Sequence, residues 1–334
     1  MARQQCPDTA LRPRAAQWPI AAALLQLPAT DEHGTPTTEL PAEEWHRQLQ
    51  QVSDLGYTSI ELPSSWVRVG DLSASRLDEL NDVVRSLGLS IAGVSVVRES
   101  VIHPTRAEKN LEFSRRTLDA AAALGVTVVC YGPHDALTPQ QQEVQWFWTI
   151  PGTPYPTDPD VRDQAIRAYR SLAEHAGSLG LQISIEMYED TFLGTGAGAI
   201  RFLDDINHPA AGLNPDLGNL IRRQGHIEAW QDLVIATMPR ANYWHVKNYA
   251  RLEDPASGRV FTHPTGLDMG IIDYRQAIPY AVSVGFTGPI VVEHYGGDTL
   301  SVGARHERYV RSLLPKDSET PPLPTVALTR RAQR

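Results

Sequence analysis

Five times along these 334 residues a leucine or valine is followed at once by glycine and then by a hydrophobic run: Leu55-Gly56, Leu87-Gly88, Leu124-Gly125, Leu179-Gly180 and Val284-Gly285. Glycine just past an amphipathic stretch stops a helix, because the residue after the last turn takes a left-handed conformation that strains any residue carrying a Cβ. The runs after these glycines are short and apolar, as a strand covered on both faces must be. Helix, stop and strand thus alternate. Strands are predicted at 20–27, 58–62, 89–97, 126–131, 182–187, 212–216, 242–246 and 290–293. Helices at 41–55, 74–87, 108–124, 161–179, 197–206, 227–237, 274–284 and 302–314 separate and follow them. Eight strands, each followed by a helix, predict an α/β protein with a single (β/α)8 barrel over residues 18–315. A doubly wound open sheet is the alternative.

Outside that span, residues 1–17 read as a flexible leader and residues 316–334, with Pro321-Pro-Leu-Pro324 and Arg330-Arg331, as a disordered, Pro-rich basic tail. A hydrophobic fraction of 42% suits a large core, and a net charge of −9 argues against nucleic acid or an anionic membrane surface as partner. The two cysteines, Cys6 and Cys130, lie far apart, so no disulfide framework follows and the expected location is the cytoplasm. Two connections exceed what a barrel requires. Residues 132–160 follow the fourth strand and carry Trp146-Phe147-Trp148 and Tyr155; residues 249–272 follow the seventh. Both belong to the C-terminal face, where barrel active sites form.

On that face four segments each end in a polar side chain: Ile185-Glu186, Asn214-Pro215-Asp216, Trp244-His245 and Val292-Glu293. The four polar residues are spaced by 30, 29 and 48 positions, about the roughly 30 residues of one βαβ unit, so successive strands deliver them to one mouth. A lone carboxylate closing an apolar run is as readily a salt-bridge partner as a ligand. Four on successive strands form a hard, oxygen-rich set for one divalent ion, with Mn²⁺ expected ahead of Mg²⁺ or Co²⁺ and a structural zinc disfavoured. Such an ion polarises a carbonyl and acidifies the neighbouring carbon. Glu186, Glu293 and His134, which follows the fourth strand, are the acid or base candidates, with His103 a weaker one. Lys247 is placed to stabilise an enediolate oxygen. The aromatic trio ending at Trp148 either pins a lid to the barrel or offers a stacking wall to a sugar or aromatic group.

These segments resemble the xylose isomerase-like TIM barrel superfamily of sugar isomerases, epimerases and dehydratases. The resemblance covers about residues 20–314 and is carried by Ile185-Glu186, Asn214-Pro-Asp216-Leu-Gly-Asn219, His245-Val-Lys-Asn248, Gly270-Ile-Ile-Asp-Tyr274 and Gly288-Pro-Ile-Val-Val-Glu293-His294. It implies that Glu186, Asp216, His245 and Glu293 hold the metal, that the two glutamates act as acid and base, and that Arg251 touches substrate. Asn219 stands where the epimerases usually have a histidine, and is expected to replace it as a hydroxyl contact. Asn248 stands where they usually have aspartate. Within the superfamily the large subunit of the C-glycoside deglycosidases also fits, given the aromatic loop.

The expected chemistry is removal of a proton next to the carbonyl of a keto-sugar or 3-oxo-glycoside. The missing histidine and the aromatic loop favour β-elimination, that is, a lyase. Reprotonation by a ketose isomerase or 3-epimerase is the alternative, and a non-catalytic sugar-binding relative is a weaker one. The expected partners are a small sugar or glycoside and further subunits, a second subunit type among them, with no nucleic acid and no membrane.

Overall fold

The computed structural model describes residues 14–316 and Leu328. The leader and tail expectations lie mostly outside those residues. Where they overlap, residues 14–17 are tied down rather than loose: Ala15–Gln17 forms a 3-10 turn, and the Ala15 amide donates to the Pro315 carbonyl at 3.1 Å.

Seven parallel strands come first: β1 (Ile20–Ala22), β2 (Ser59–Pro63), β3 (Ser90–Val96), β4 (Val128–Tyr131), β5 (Gln182–Glu186), β6 (Ala211–Asn214) and β7 (Trp244–Val246). An antiparallel hairpin, β8 (Asn248–Asp254) with β9 (Arg259–Thr265), precedes the eighth barrel strand, β10 (Ile290–Val292). The bonded order is β6-β5-β4-β3-β2-β1-β10-β7, all parallel, and a bridge between Leu213 and Ala241 joins the two ends. The sequence predicts a long connection after the seventh strand, and most of it forms this hairpin. Its turn at residues 255–258 is set by Asp254, whose carboxylate accepts from the Ala256 amide, and by Gly258 in the left-handed region.

The helices are α1 (Ala42–Asp54), α2 (Ala74–Ser86), α3 (Ala107–Ala123), the single turn α4 (Pro139–Gln142), α5 (Pro159–Ser178), α6 (Gly196–Ile206), the short α7 (Leu217–Ile221), α8 (Trp230–Thr237), α9 (Tyr274–Ser283) and α10 (Thr299–Leu313). All five glycines read as stops have positive φ, from +69° at Gly88 to +101° at Gly285. Four of them close with the bond of a left-handed cap, such as Leu89 N to Val84 O at 3.1 Å and Leu181 N to Ala176 O at 2.8 Å. On α1, Trp45, Leu49 and Val52 recur at helical spacing and are fully buried. Each such side chain contributes about 1.5–3 kcal/mol by leaving water.

The core has two parts. The larger lies between the strands and the helix ring. The smaller fills the barrel lumen with Ala21, Ala23, Val128, Cys130, Tyr243 and Val291. The mostly small side chains of this inner layer leave room for a column of polar groups. Gly93 shows how tight the layer is: a Cβ there would run into the Tyr243 ring, 2.7 Å from its Cζ. The seam between β6 and β7 is closed by a main-chain bond, Asn242 N to Leu213 O at 3.2 Å, and by the His245 amide donating to Asn214 Oδ1 at 2.8 Å, while the Asn242 side chain reaches past β6 to the Ile183 carbonyl of β5 at 3.0 Å.

Candidate active site

Strand alternation puts each candidate ligand into the lumen. Ile183 and Ile185 pack outward against the helices, so Ser184 and Glu186 of β5 point inward. Trp244 and Val246 likewise face out, leaving Tyr243 and His245 inside. Val291 is inside and Val292 outside, so Glu293, the next residue, faces in. Pro215 ends β6, and Asp216 becomes the N-cap of α7, its carboxylate accepting from the Asn219 amide at 3.4 Å. The sequence reading has no helix at 217–221; Asp216 followed by Leu-Gly-Asn is the capping signal for it.

The four side chains converge. His245 Nδ1 lies 2.9 Å from Glu293 Oε1 and 3.8 Å from both Glu186 Oε1 and Asp216 Oδ2. Ligand atoms of Glu186, Asp216 and His245 all fall within 4.8 Å of one another, as do those of Glu61, His245 and Glu293. Lys247 enters the same cluster, its Nζ 2.6 Å from Asp216 Oδ2 and paired with Glu293. Asn219 donates to Glu186 Oε1 at 2.8 Å and to the Met187 carbonyl at 3.0 Å, so it orients the carboxylate.

The electrostatics of the cluster follow from its crowded acids. Burial, together with the Glu293 and Glu186 carboxylates, pushes the Asp216 carboxyl up to about 7 against the pull of Lys247 and His245. Burial would also raise Glu186 and Glu293. The His245 ring holds Glu186 below the usual carboxylate range, and Lys247 with His245 holds Glu293 there. His245 Nδ1 and Asp216 Oδ2 are buried and make no hydrogen bond; Oδ2 meets Lys247 only as an ion pair. Three carboxylates, one imidazole and a lysine ammonium already drawn between two of the acids are a donor set that fits a divalent ion.

The sequence reading missed what fixes the imidazole. Glu61, on β2, is fully buried in the lumen, and its Oε1 accepts from Tyr243 Oη at 3.0 Å and faces His245 Nε2 at 2.8 Å. A carboxylate there accepts from Nε2–H, which turns Nδ1 toward the other acids; against the cost of burial, Glu61 and then Glu293 hold the imidazole well above its ordinary pKa. Its signal in the sequence is a glutamate with apolar neighbours on both sides, Ile60-Glu61-Leu62.

His134, after β4, is 7% exposed and stacks on Tyr188 with ring centroids 3.9 Å apart. Burial, and then the Arg98 charge, lower its pKa to about 3, so the ring is neutral at ordinary pH. Trp148 is buried, donates from Nε1 to Thr262 Oγ1 at 3.1 Å, and packs against Tyr249 and Tyr295. Arg251, expected at the substrate, is instead bound to main chain. Its guanidinium donates to the carbonyls of Ile221 at 3.0 Å, Arg223 at 2.6 Å and Gly225 at 2.5 Å, the unpaired acceptors at and beyond the end of α7. His103 is also apart, hydrogen bonded to Thr105 and Arg106. Another guanidinium, Arg222, is fully buried, forked onto Glu189 at 2.7 and 3.1 Å and 4.9–5.9 Å from the rings of Phe147, Trp148, Tyr188 and Tyr295. It knits the aromatic loop after β4 to the barrel top.

Residues 49–313 match the xylose isomerase-like TIM barrel family. This chain is a member of that family. A family protein from Mycobacterium smegmatis, whose crystal structure is a complex with magnesium, is 40% identical and superposes with a TM-score of 0.87 over 92% of this chain and 100% of that one. An L-ribulose 3-epimerase of Methylomonas sp. (strain DH-1) is 26% identical over 247 residues, 72% of this chain and 74% of that protein. A ketose 3-epimerase of Arthrobacter globiformis is 22% identical over 271 residues, 79% and 82% respectively. No helix among the described residues is long and apolar enough to cross a membrane.

Proposed function

We propose that this family member is a divalent-metal-dependent sugar isomerase or epimerase that moves a proton at the carbon beside the carbonyl of a keto-sugar. The observation that carries the proposal is the pairing of Glu186 and Glu293 in one buried cluster with His245 and Asp216, on strands that face each other across the mouth. In the ring, β5 and β10 are separated by β6 and β7 on one side and by four strands on the other. A sugar carbon held between them has a carboxylate on either face. One takes the proton and the other returns it, which inverts the centre. Glu186, Asp216, His245 and Glu293 would hold the ion, which when bound supplies Lewis-acid polarisation of the sugar oxygens.

The remaining assignments concern the chain's own groups. Asn219 aims Glu186. Lys247 offsets negative charge between Asp216 and Glu293. Neutral His134 exchanges a proton with a sugar hydroxyl. Arg251 is left out, since its guanidinium is committed to main-chain carbonyls. Of the two fates of the deprotonated sugar, return of the proton is preferred to expulsion of a leaving group, because the two relatives named above are 3-epimerases. Magnesium in the Mycobacterium smegmatis relative supports a divalent ion without selecting manganese.

The test is proton exchange. Protein loaded with Mg²⁺ or Mn²⁺ is incubated in D₂O with a panel of ketoses and followed by NMR. Deuterium at the carbon beside the carbonyl, with a new epimer and with loss of both in Glu186→Gln, is the expected result. Exchange that survives in Glu186→Gln, or release of a sugar substituent without an epimer, would overturn the assignment.

A further inference from the structure

The candidate ligands are closed off from solvent. Asp216, His245, Lys247 and Glu293 are buried, and Glu186 keeps only 12% of its side chain exposed. The cover over them is aromatic. The Tyr295 ring centre lies 5.5 Å from Lys247 Nζ, and Phe147 and Trp148, from the loop after β4, pack on that ring with centroids 6.0 and 5.5 Å away. A keto-sugar held by both Glu186 and Glu293 needs part of this cover to move aside.

The cover is made of two unlike parts. The β8–β9 hairpin is bound to main chain. Arg251 donates to three carbonyls at and beyond the end of α7, and Thr262 donates to the Arg222 carbonyl at 3.1 Å. Residues 133–157 are held differently. Among the described residues their main-chain hydrogen bonds run only to one another. Two hydrogen bonds join them to the rest: Trp148 Nε1 to Thr262 Oγ1 and Arg98 Nη1 to the Asp135 carbonyl, both at 3.1 Å. The remaining attachment is by rings. Phe147 and Trp148 lie beside the Arg222 guanidinium, Tyr155 packs edge-on against Phe192, and Trp146 is seated on Gly296, where a Cβ would come within 2.5 Å of its Cη2. Contacts of this kind can be released and remade without unlacing a helix or a strand, and segments so held open at lower free energy than the laced elements around them. The ends of the segment are fixed, by the Gly132 amide on the Val96 carbonyl at 3.2 Å and by Asp158, the N-cap of α5. A cavity of about 470 Å³, lined by this loop and by the segments after β3, β5 and β6, leaves the loop room to move.

We propose that residues 133–157 are a lid, closed in this structure, which turns on its two fixed ends and latches against the β8–β9 hairpin through Trp148 and Thr262, and whose opening admits a sugar to Glu186 and Glu293. The hairpin is the post and the aromatic loop the leaf. The lid stands on the geometry alone; its part in admitting a sugar rests on the proposed function.

The test uses the Mg²⁺-loaded full chain with Cys6→Ser, Cys130 being buried, and with thiols introduced as Val144→Cys on the lid and Phe261→Cys on the hairpin, both at exposed positions. Spin labels on the two thiols report the distance between leaf and post by pulsed EPR. A second, longer distance is expected beside that of the closed form. Trp148→Phe and Thr262→Val each remove one side of the latch and should raise the share of the longer distance about fivefold, as loss of one net hydrogen bond does. A single distance that neither variant moves overturns the lid. A reductant-cleavable linker is then placed between the same two thiols. Turnover of a ketose should fall at least tenfold in the linked protein and return on cleavage. Turnover that the linker leaves unaltered overturns the gating role. If no ketose turns over before linking but the distances shift as expected, the proposed function fails and the lid stands.

Discussion

Replacing Glu61 by glutamine changes one atom in the barrel lumen and should be read out at the proposed metal site. The carboxylate is fully buried, and its Oε1 serves both Tyr243 Oη at 3.0 Å and His245 Nε2 at 2.8 Å. Each hydrogen bond to a charged group is worth about 1.5–3 kcal/mol, and loss of a partner that orients a metal-binding histidine typically weakens the metal about 10–100-fold. The glutamine amide can also turn its NH₂ to Nε2, which moves the ring proton to Nδ1 and blocks the nitrogen that faces the acids. At a free metal concentration of 100 times the parent Kd, bound metal stabilises the fold by about 2.7 kcal/mol; a Kd 10–100 times weaker leaves ~1.4 to ~0.4 kcal/mol. Titration of Mg²⁺ by calorimetry, with chemical denaturation at fixed metal, measures both numbers. A Glu61→Gln protein with a native near-UV spectrum and parental metal affinity would refute the argument.

Other substitutions follow the same logic. Gly93→Ala drives a methyl group into the Tyr243 ring and should disturb the Tyr243–Glu61–His245 chain by steric means, costing about 1–3 kcal/mol in urea unfolding and weakening metal as Glu61→Gln does; a neutral result would mean that the ring moves freely. Arg222→Met breaks a buried ion pair and should cost about 3–5 kcal/mol, much of it recovered in the double variant with Glu189→Leu because no lone charge remains; additive losses would count against the pair. His134 has a folded pKa of about 3, below its ordinary value of 6.5, so between those limits the unfolded chain binds a proton that the folded one does not. Stability should therefore fall by about 1.4 kcal/mol per pH unit as the solution is acidified through that window, and His134→Gln should flatten the slope; an unchanged slope would show that the ring is not held neutral.

The elements were legible because their signals are local. Five glycine stops and their following runs place most helices and strands within a few residues, and the period of two along β5, β7 and β10 carries the candidate ligands inward without further information. Glu61 was hidden because its partner is 184 residues away across the lumen, and only a closed barrel brings them together. Arg251 was misjudged for the converse reason. Its place in the order of residues is that of a substrate contact, but the unforeseen helix α7 ends beside it with open carbonyls, and a guanidinium fills them before any ligand does. Arg222, just past that helix, carries no signal of its own in the sequence and is the hub of the aromatic loop.

The seam between β6 and β7 has a consequence for the choice of ion. Elsewhere around the barrel neighbouring strands are laced by main-chain ladders, whereas Asp216 and His245 sit on either side of a joint joined by the Asn242 amide on the Leu213 carbonyl and by the His245 amide on the Asn214 side chain. Such a joint should give more readily than a ladder, so the gap between Asp216 and His245 is expected to adjust by tenths of an ångström with little disturbance to the other strands. Mg²⁺ demands oxygens at about 2.0–2.1 Å, and larger divalent ions need more room. On the proposed function, a barrel hinged at this joint would tolerate a range of ionic radii, and Asn214, whose side chain spans the joint, would be the residue through which that tolerance is tuned.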